Sequence, residues 1–332
     1  MRNLFLTHAE AAELIAGGAV MFVAGSAETL ALLPKGKWIG GSTPYFMTET
    51  GGRLDAGRVF CTVLDEAENS RIEIVPAGKL EDLTKGRFAN GFSYVLIPAF
   101  SETLRRFALE AQNLPDIYAQ PLIGWVTGID LADLGKAKPV VVDGRDGRAH
   151  EDAAAVMHVA LNRTRSAEAD IVNLFTPDER HAICFPETGF SASLCNVDGV
   201  ERNFADWLRE VGADTALPLV SSYAGAVVNV SLQAMHEDHV AFYAPVIAGR
   251  TYHLAQSVAD YPHAYGMLCA AQPPQDEQAG TLSFNCILNY LHANLEGRKT
   301  GHFVGPVTFG EIAYMLLNQT LVRLDLRAGN VF

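Results

Sequence analysis

The sequence predicts an α/β mixture of two strand-rich halves, with mixed or antiparallel sheets and hairpins. Short apolar runs bounded by turn residues recur along the chain, which is the pattern of strands. Alternation of apolar and polar residues over 228–234 and within 320–326 has strand period. The strands do not alternate with helices at the regular spacing of a βαβ winding.

The elements follow in order. Thr7-His8-Ala9-Glu10 has the form of a capping box that opens a short helix, and Gly17-Gly18 closes it. Residues 19–24 (AVMFVA) read as a strand, with further strands at 58–64, 71–75, 93–97 and 139–143. Leu104, Phe107, Ala108 and Ala111 share one face of a helix over 101–114. In the second half, Asn203 caps and Gly212 stops a short helix over 204–211. A hairpin follows, with strands 228–234 and 240–246 joined by His236-Glu237-Asp238-His239. The last strand is 320–326. No repeat period stands out, and the loop 177–190 is the best boundary, dividing the chain into 1–176 and 177–332.

Composition narrows the function. Of 332 residues, 49% are apolar and 19% charged, as in a packed globular protein. A net charge of −13 without a basic patch argues against nucleic acid. The five cysteines are scattered, with no C-x-x-C pair, which fits buried reduced thiols in a cytoplasm. No signal peptide and no membrane span is expected.

The common catalytic phrases are missing: no phosphate-binding P-loop, no dinucleotide glycine fingerprint and no nucleophile elbow. The two histidines of the 236–239 turn are spaced i, i+3, so a solvated polar turn is the better reading than a metal site. Cys286 ends an apolar run and would need a nearby base or cation to act as a nucleophile, with Arg298 and His302 close enough in sequence to be candidates. Gly40-Gly41-Ser42-Thr43-Pro44 is either an ordinary corner or a turn whose N–H groups hold a polar ligand. Gly305-Pro306-Val307-Thr308-Phe309-Gly310-Glu311-Ile312, followed by Asn318-Gln319-Thr320, sets polar groups among apolar residues. Buried, such groups must find partners in the protein or in a ligand. Glu311 could instead cap a helix beginning near Ile312, and Asn318 could satisfy a turn.

Together these segments resemble the FIST sensory domain family, which has N- and C-terminal halves. The family's phrase G-F-Y-T-Y-G-E-I, then N-Q-T and a strand, is similar to 305–312 and 318–320. A strand ending in a serine-cysteine pair looks like 280–286, and Asn196-Val197-Asp198-Gly199 resembles the start of the C-terminal half. In the N-terminal half, G-C-S-T-x-G-E looks like Gly40–Thr43 and G-G-x-x-x-D looks like Gly124–Asp130. Gly41 replaces that phrase's cysteine and Pro44-Tyr45-Phe46 its end. The arginine usual after the C-terminal cysteine is replaced by Ile287-Leu288-Asn289.

The resemblance implies a stand-alone cytoplasmic small-ligand-binding protein of bacterial signalling, with an amino-acid-like ligand and a separate signalling protein as partner. Its pocket would lie where the halves meet, drawing on Ser42, Thr43, Gly124, Thr127, Cys286, Thr308, Gly310, Glu311 and Asn318. Two alternatives stand beside it. One is an enzyme on a small amide or amino-acid derivative, with Glu311 as acid/base and Cys286 as nucleophile. The other is a haem-based gas sensor, for which the sequence marks no axial ligand. No cofactor is assigned.

Overall fold

The computed structural model describes residues 1–223, 225–273 and 280–328. They form an α/β fold of mixed and antiparallel sheets, and three of the five sheets share one plan. From edge to edge, the first sheet runs Arg2–Thr7, Arg58–Val63, Met21–Gly25, Trp38–Ser42, Val141–Asp143, Arg148–His150. The second runs Ala67–Pro76, Ala153–Leu161, Gly91–Pro98, Leu122–Thr127, Glu311–Ala313, Met315–Leu317. The third runs Arg165–Asn173, Thr320–Ala328, Thr281–Cys286, Gly305–Thr308, Tyr45–Thr48, Gly51–Leu54. In each, the third and fourth strands are parallel and all other neighbours antiparallel.

Residues 2–63, 67–161 and 165–328 are thus three copies of one unit. Each unit lends the hairpin that follows its second parallel strand to another sheet. The hairpin 45–54 joins the third sheet, 141–150 the first, and 311–317 the second. This closed exchange ties the units together. The sequence shows no period because the copies differ in loop length, and the third carries an insertion.

The inner faces of the three sheets meet in one core containing Phe22, Phe60, Phe92, Trp125, Phe284 and Leu324. Tyr94 stands between the sheets, stacked on Phe22 at 3.7 Å and edge-on to Phe284 at 6.1 Å. Its hydroxyl accepts from Trp125 Nε1 at 2.6 Å, which supplies the partner a buried phenol needs. The outer faces are covered by each unit's own helices. His8–Ala16 and Ala27–Ala31 cover the first, Ala77–Thr84 and Glu102–Glu110 the second, Tyr261–Ala271 and Ile287–His292 the third. With both faces covered, a strand such as Ala153–Leu161 is buried throughout and reads as an apolar run interrupted only by His158.

Local signals act as their chemistry requires. Thr7 and Glu10 form the reciprocal capping box, and Asn203 caps Phe204–Glu210 through the Asp206 N–H. The chain leaves the third unit after Asn173, enters an inserted domain at Pro177, and returns at Tyr261. The insertion has a six-stranded and a three-stranded sheet around Phe185, Phe204, Trp207, Phe242 and Tyr252. The hairpin read at 228–246 is divided. Ala226–Val230 pairs with Leu219–Tyr223, while Leu232–Met235 pairs with Val240–Val246, whose other neighbour is Gly189–Ala192. The break falls at Ser231, whose hydroxyl turns to Gln319 Oε1 at 2.6 Å. No helix begins near Ile312: residues 311–317 are the lent hairpin, so Glu311 caps no helix. Its pairing with Leu122–Thr127 outweighs the local pattern.

Candidate functional site

The second parallel strands of the three units end in Ser42, Thr127 and Thr308, which lie opposite Gly25, Pro98 and Cys286 on their parallel partners. Three hydroxyl residues singled out in the sequence therefore occupy equivalent positions. Around them the strand ends are stitched together. Ser42 Oγ donates to Gly128 O at 2.8 Å, and Gly128 N–H returns a bond to Ser42 O at 2.7 Å. Thr43 Oγ1 donates to Val307 O at 2.7 Å. Phe309 N–H reaches Val126 O, and Val126 N–H reaches Gly310 O, at 3.0 and 2.8 Å. The backbones approach closely: a Cβ on Gly41 would lie 2.5 Å from the Trp125 ring, and one on Gly128 2.3 Å from the Phe309 ring. Ser42, Thr43 and Gly310 are thus engaged in holding the units together. Thr127 Oγ1 is buried without a partner.

Gly124 has a different task. A Cβ there would fall 1.7 Å from Val95 O on the neighbouring strand, so glycine permits the pairing.

Behind Thr308 lies Glu311, wholly buried. Its carboxyl accepts from Thr308 Oγ1 at 2.9 Å, Thr320 Oγ1 at 2.8 Å and Thr320 N–H at 3.3 Å. Burial outweighs these bonds and lifts its pKa to about 8, so at neutral pH the group is mainly the uncharged acid. Cys286 lies beside it, and burial together with the Glu311 charge pushes the thiol well above its ordinary value. A thiolate nucleophile needs the opposite environment. The cluster continues through Asn285, Asn289, Tyr265 and Tyr261 to Gln319. This web pairs most of its buried polar groups, as a rigid core requires, and leaves the Asn285 amide nitrogen without a partner.

Above the ends of the parallel strands, a cavity of about 530 Å³ opens between the three-sheet body and the inserted domain. Phe100, Leu104, Leu134, Val126 and Phe309 line it from the second and third units, Ile287 and Leu291 from the helix after Cys286, and Phe242 and Tyr243 from the insertion. Asn318 also lines it and is 1% exposed. Its Oδ1 is buried without a hydrogen-bond partner, and no bond joins its amide nitrogen to a described residue. Two non-glycine residues here have left-handed backbones, Phe100 at φ 63° and Gln319 at φ 49°. Such conformations are uncommon and concentrate at ligand sites.

Of the residues chosen from sequence, the structure brings Ser42, Thr43, Thr127, Cys286, Thr308, Gly310 and Glu311 to the strand ends, and Asn318 alone to the cavity wall. The lining of Phe100, Leu134, Leu291, Gln233 and Tyr243 was not found from sequence. An exposed Phe after Pro98-Ala99 is the one local cue. Neither histidine nor cysteine is among the lining residues. His236 and His239 stack at 4.3 Å in an exposed turn, and His239 Nδ1 bonds Asp238 at 2.8 Å. A second cavity, about 580 Å³, lies in the inserted domain by Asp178, Arg180, His181 and Asp214. There Arg180 and His181 already pair with Asp178 and Asp198. No helix among the described residues is long and apolar enough to cross a membrane.

A model of a family of unknown function, DUF6976, matches residues 6–327. No curated protein matches the chain.

Proposed function

The chain belongs to the DUF6976 family, and we propose that it is a small-ligand-binding protein whose site is the cavity between the three-sheet body and the inserted domain. The observation that carries this reading is the carboxamide of Asn318, which lines the cavity with its oxygen buried and unbonded. A buried amide without partners costs roughly 1–3 kcal/mol, and a ligand that bonds it recovers that loss. The volume, about 530 Å³, falls within the roughly 300–1,000 Å³ of small-molecule sites. Position supports the reading too. Ligands of α/β sheets gather beyond the carboxyl ends of parallel strands, where this cavity lies.

The FIST resemblance adds amino-acid-like ligands as the first class to screen, a cytoplasmic location, which the five unpaired cysteines also fit, and a separate protein as the recipient of the signal. The inserted domain is the natural sensor of occupancy, because it supplies Phe242 and Tyr243 to one wall.

Native mass spectrometry tests the site. Protein purified from its own host is expected to retain a small-molecule adduct, and Leu291→Trp, which fills the mouth, is expected to lose it. An adduct retained equally by both proteins places the ligand elsewhere.

A further inference from the structure

We propose that the cavity selects a neutral ligand carrying a cis-amide edge and an apolar substituent, of which cyclic dipeptides are the amino-acid-derived form. The inference rests on the cavity being the binding site and names the chemistry that the site would recognise.

The unengaged polar groups in the lining are all neutral. Asn318 offers a carboxamide with neither end bonded to a described residue. Gln233 brings a second carboxamide and Tyr243 a phenol from the inserted domain. The two charged lining residues, Glu102 and Arg105, are exposed and bonded to each other twice, at 2.6 and 2.7 Å. Ser101 is engaged as a helix cap: its Oγ donates to Pro98 O and accepts from Leu104 N–H. A free amino acid would therefore bury a carboxylate and an ammonium without counter-charges, a large desolvation penalty.

A carboxamide presents a donor and an acceptor side by side, so its best partner is a group with the same pair reversed. Side-chain amides bind nucleobase edges in this way. A cis-amide, as in a lactam or a diketopiperazine ring, offers N–H and C=O on one edge, whereas the trans amide of a linear peptide points them apart. A diketopiperazine has two such edges on opposite sides, and the site has two carboxamides, one on the body and one on the insertion. The apolar walls, Phe100, Leu104, Leu134, Phe242, Leu291 and Phe309, then take the substituent.

Isothermal calorimetry on the full chain with three probes decides it: cyclo(glycyl-phenylalanyl), its N,N′-dimethyl derivative, and linear glycyl-phenylalanine. The cyclic dipeptide is expected to bind on the order of tenfold or more tighter than either of the others, the difference made by a lost hydrogen-bonded edge or an unpaired charge. Asn318→Leu is expected to abolish that preference, and the comparison of probes on the wild-type protein stands even if this variant misfolds. Equal or tighter binding of the linear or dimethyl compound overturns the neutral cis-amide class and leaves the cavity reading intact. No binding of any probe overturns the class as well. Binding of the cyclic compound that Leu291→Trp leaves unchanged overturns both readings.

Discussion

Glu311→Gln isolates a charge that the fold holds off. The carboxyl is wholly buried and its pKa is lifted from 4.5 to about 8, chiefly by burial. The folded state therefore holds a proton that the unfolded chain releases above about pH 4.5. That contribution is fully present below the unfolded pKa and declines as pH rises towards the folded one. The slope is about 1.4 kcal/mol per pH unit, so the loss between pH 4.5 and 8 is on the order of 4–5 kcal/mol. Glutamine keeps the shape and a carbonyl for the Thr320 donors, while its amide can donate to Thr308. Urea unfolding between pH 5 and 9 is the assay. Near pH 5 the two proteins are expected to agree within about 1 kcal/mol, the value of one ordinary hydrogen bond. By pH 9 the variant is expected to be the more stable by several kcal/mol. A constant difference across that range would refute the assignment of a neutral buried acid.

His158, buried in the second sheet beside Ser93, acts in the opposite sense: its pKa is lowered from 6.5 to about 4, chiefly by burial. Its contribution is present above pH 6.5 and lost as pH falls towards 4. His158→Gln is thus expected to remove an acid-side loss on the order of 2–3 kcal/mol, read from urea midpoints at pH 4.5 and 7. Gly124→Ala drives a methyl into the Val95 carbonyl and is expected to lower stability by at least about 1–3 kcal/mol, the scale of overpacking; an unchanged thermal midpoint would contradict the close pairing. Native thiol labelling followed by mass spectrometry is expected to modify the half-buried Cys184 and spare Cys61, Cys195, Cys269 and Cys286, which are buried. Labelling of Cys286 as fast as Cys184 would revive it as a nucleophile.

Much of the fold class was legible because it rests on local chemistry. The Thr7 capping box, the Asn203 cap, the apolar run at 93–97 and the alternating run at 320–326 need only neighbours in sequence to be recognised, and they lie in the helices and strands of the fold. The threefold plan was not, because the equivalence of Ser42, Thr127 and Thr308 is set by pairing register, and their flanking loops share no spacing. The site was legible in part for the same reason. Polar residues at strand ends marked the region, yet most of them bond one another, and sequence cannot tell a satisfied hydroxyl from a waiting one. Asn318 differs from Gln319 only in what surrounds it. Gln319 bonds Ser231 and the Ala216 carbonyl, while the Asn318 side chain lines the cavity with its Oδ1 unbonded. The cavity itself is assembled from residues some 200 positions apart, Phe100 to Leu291 and Phe309, with the insertion closing one side.

The most direct measurement is a crystal structure of the protein purified with its retained small molecule. Electron density is predicted between Phe309, Leu291 and Phe242, with a polar group of the ligand within hydrogen-bonding distance of the Asn318 carboxamide. Density confined to the cavity by Asp178 and Asp214, with the junction empty, would contradict the account.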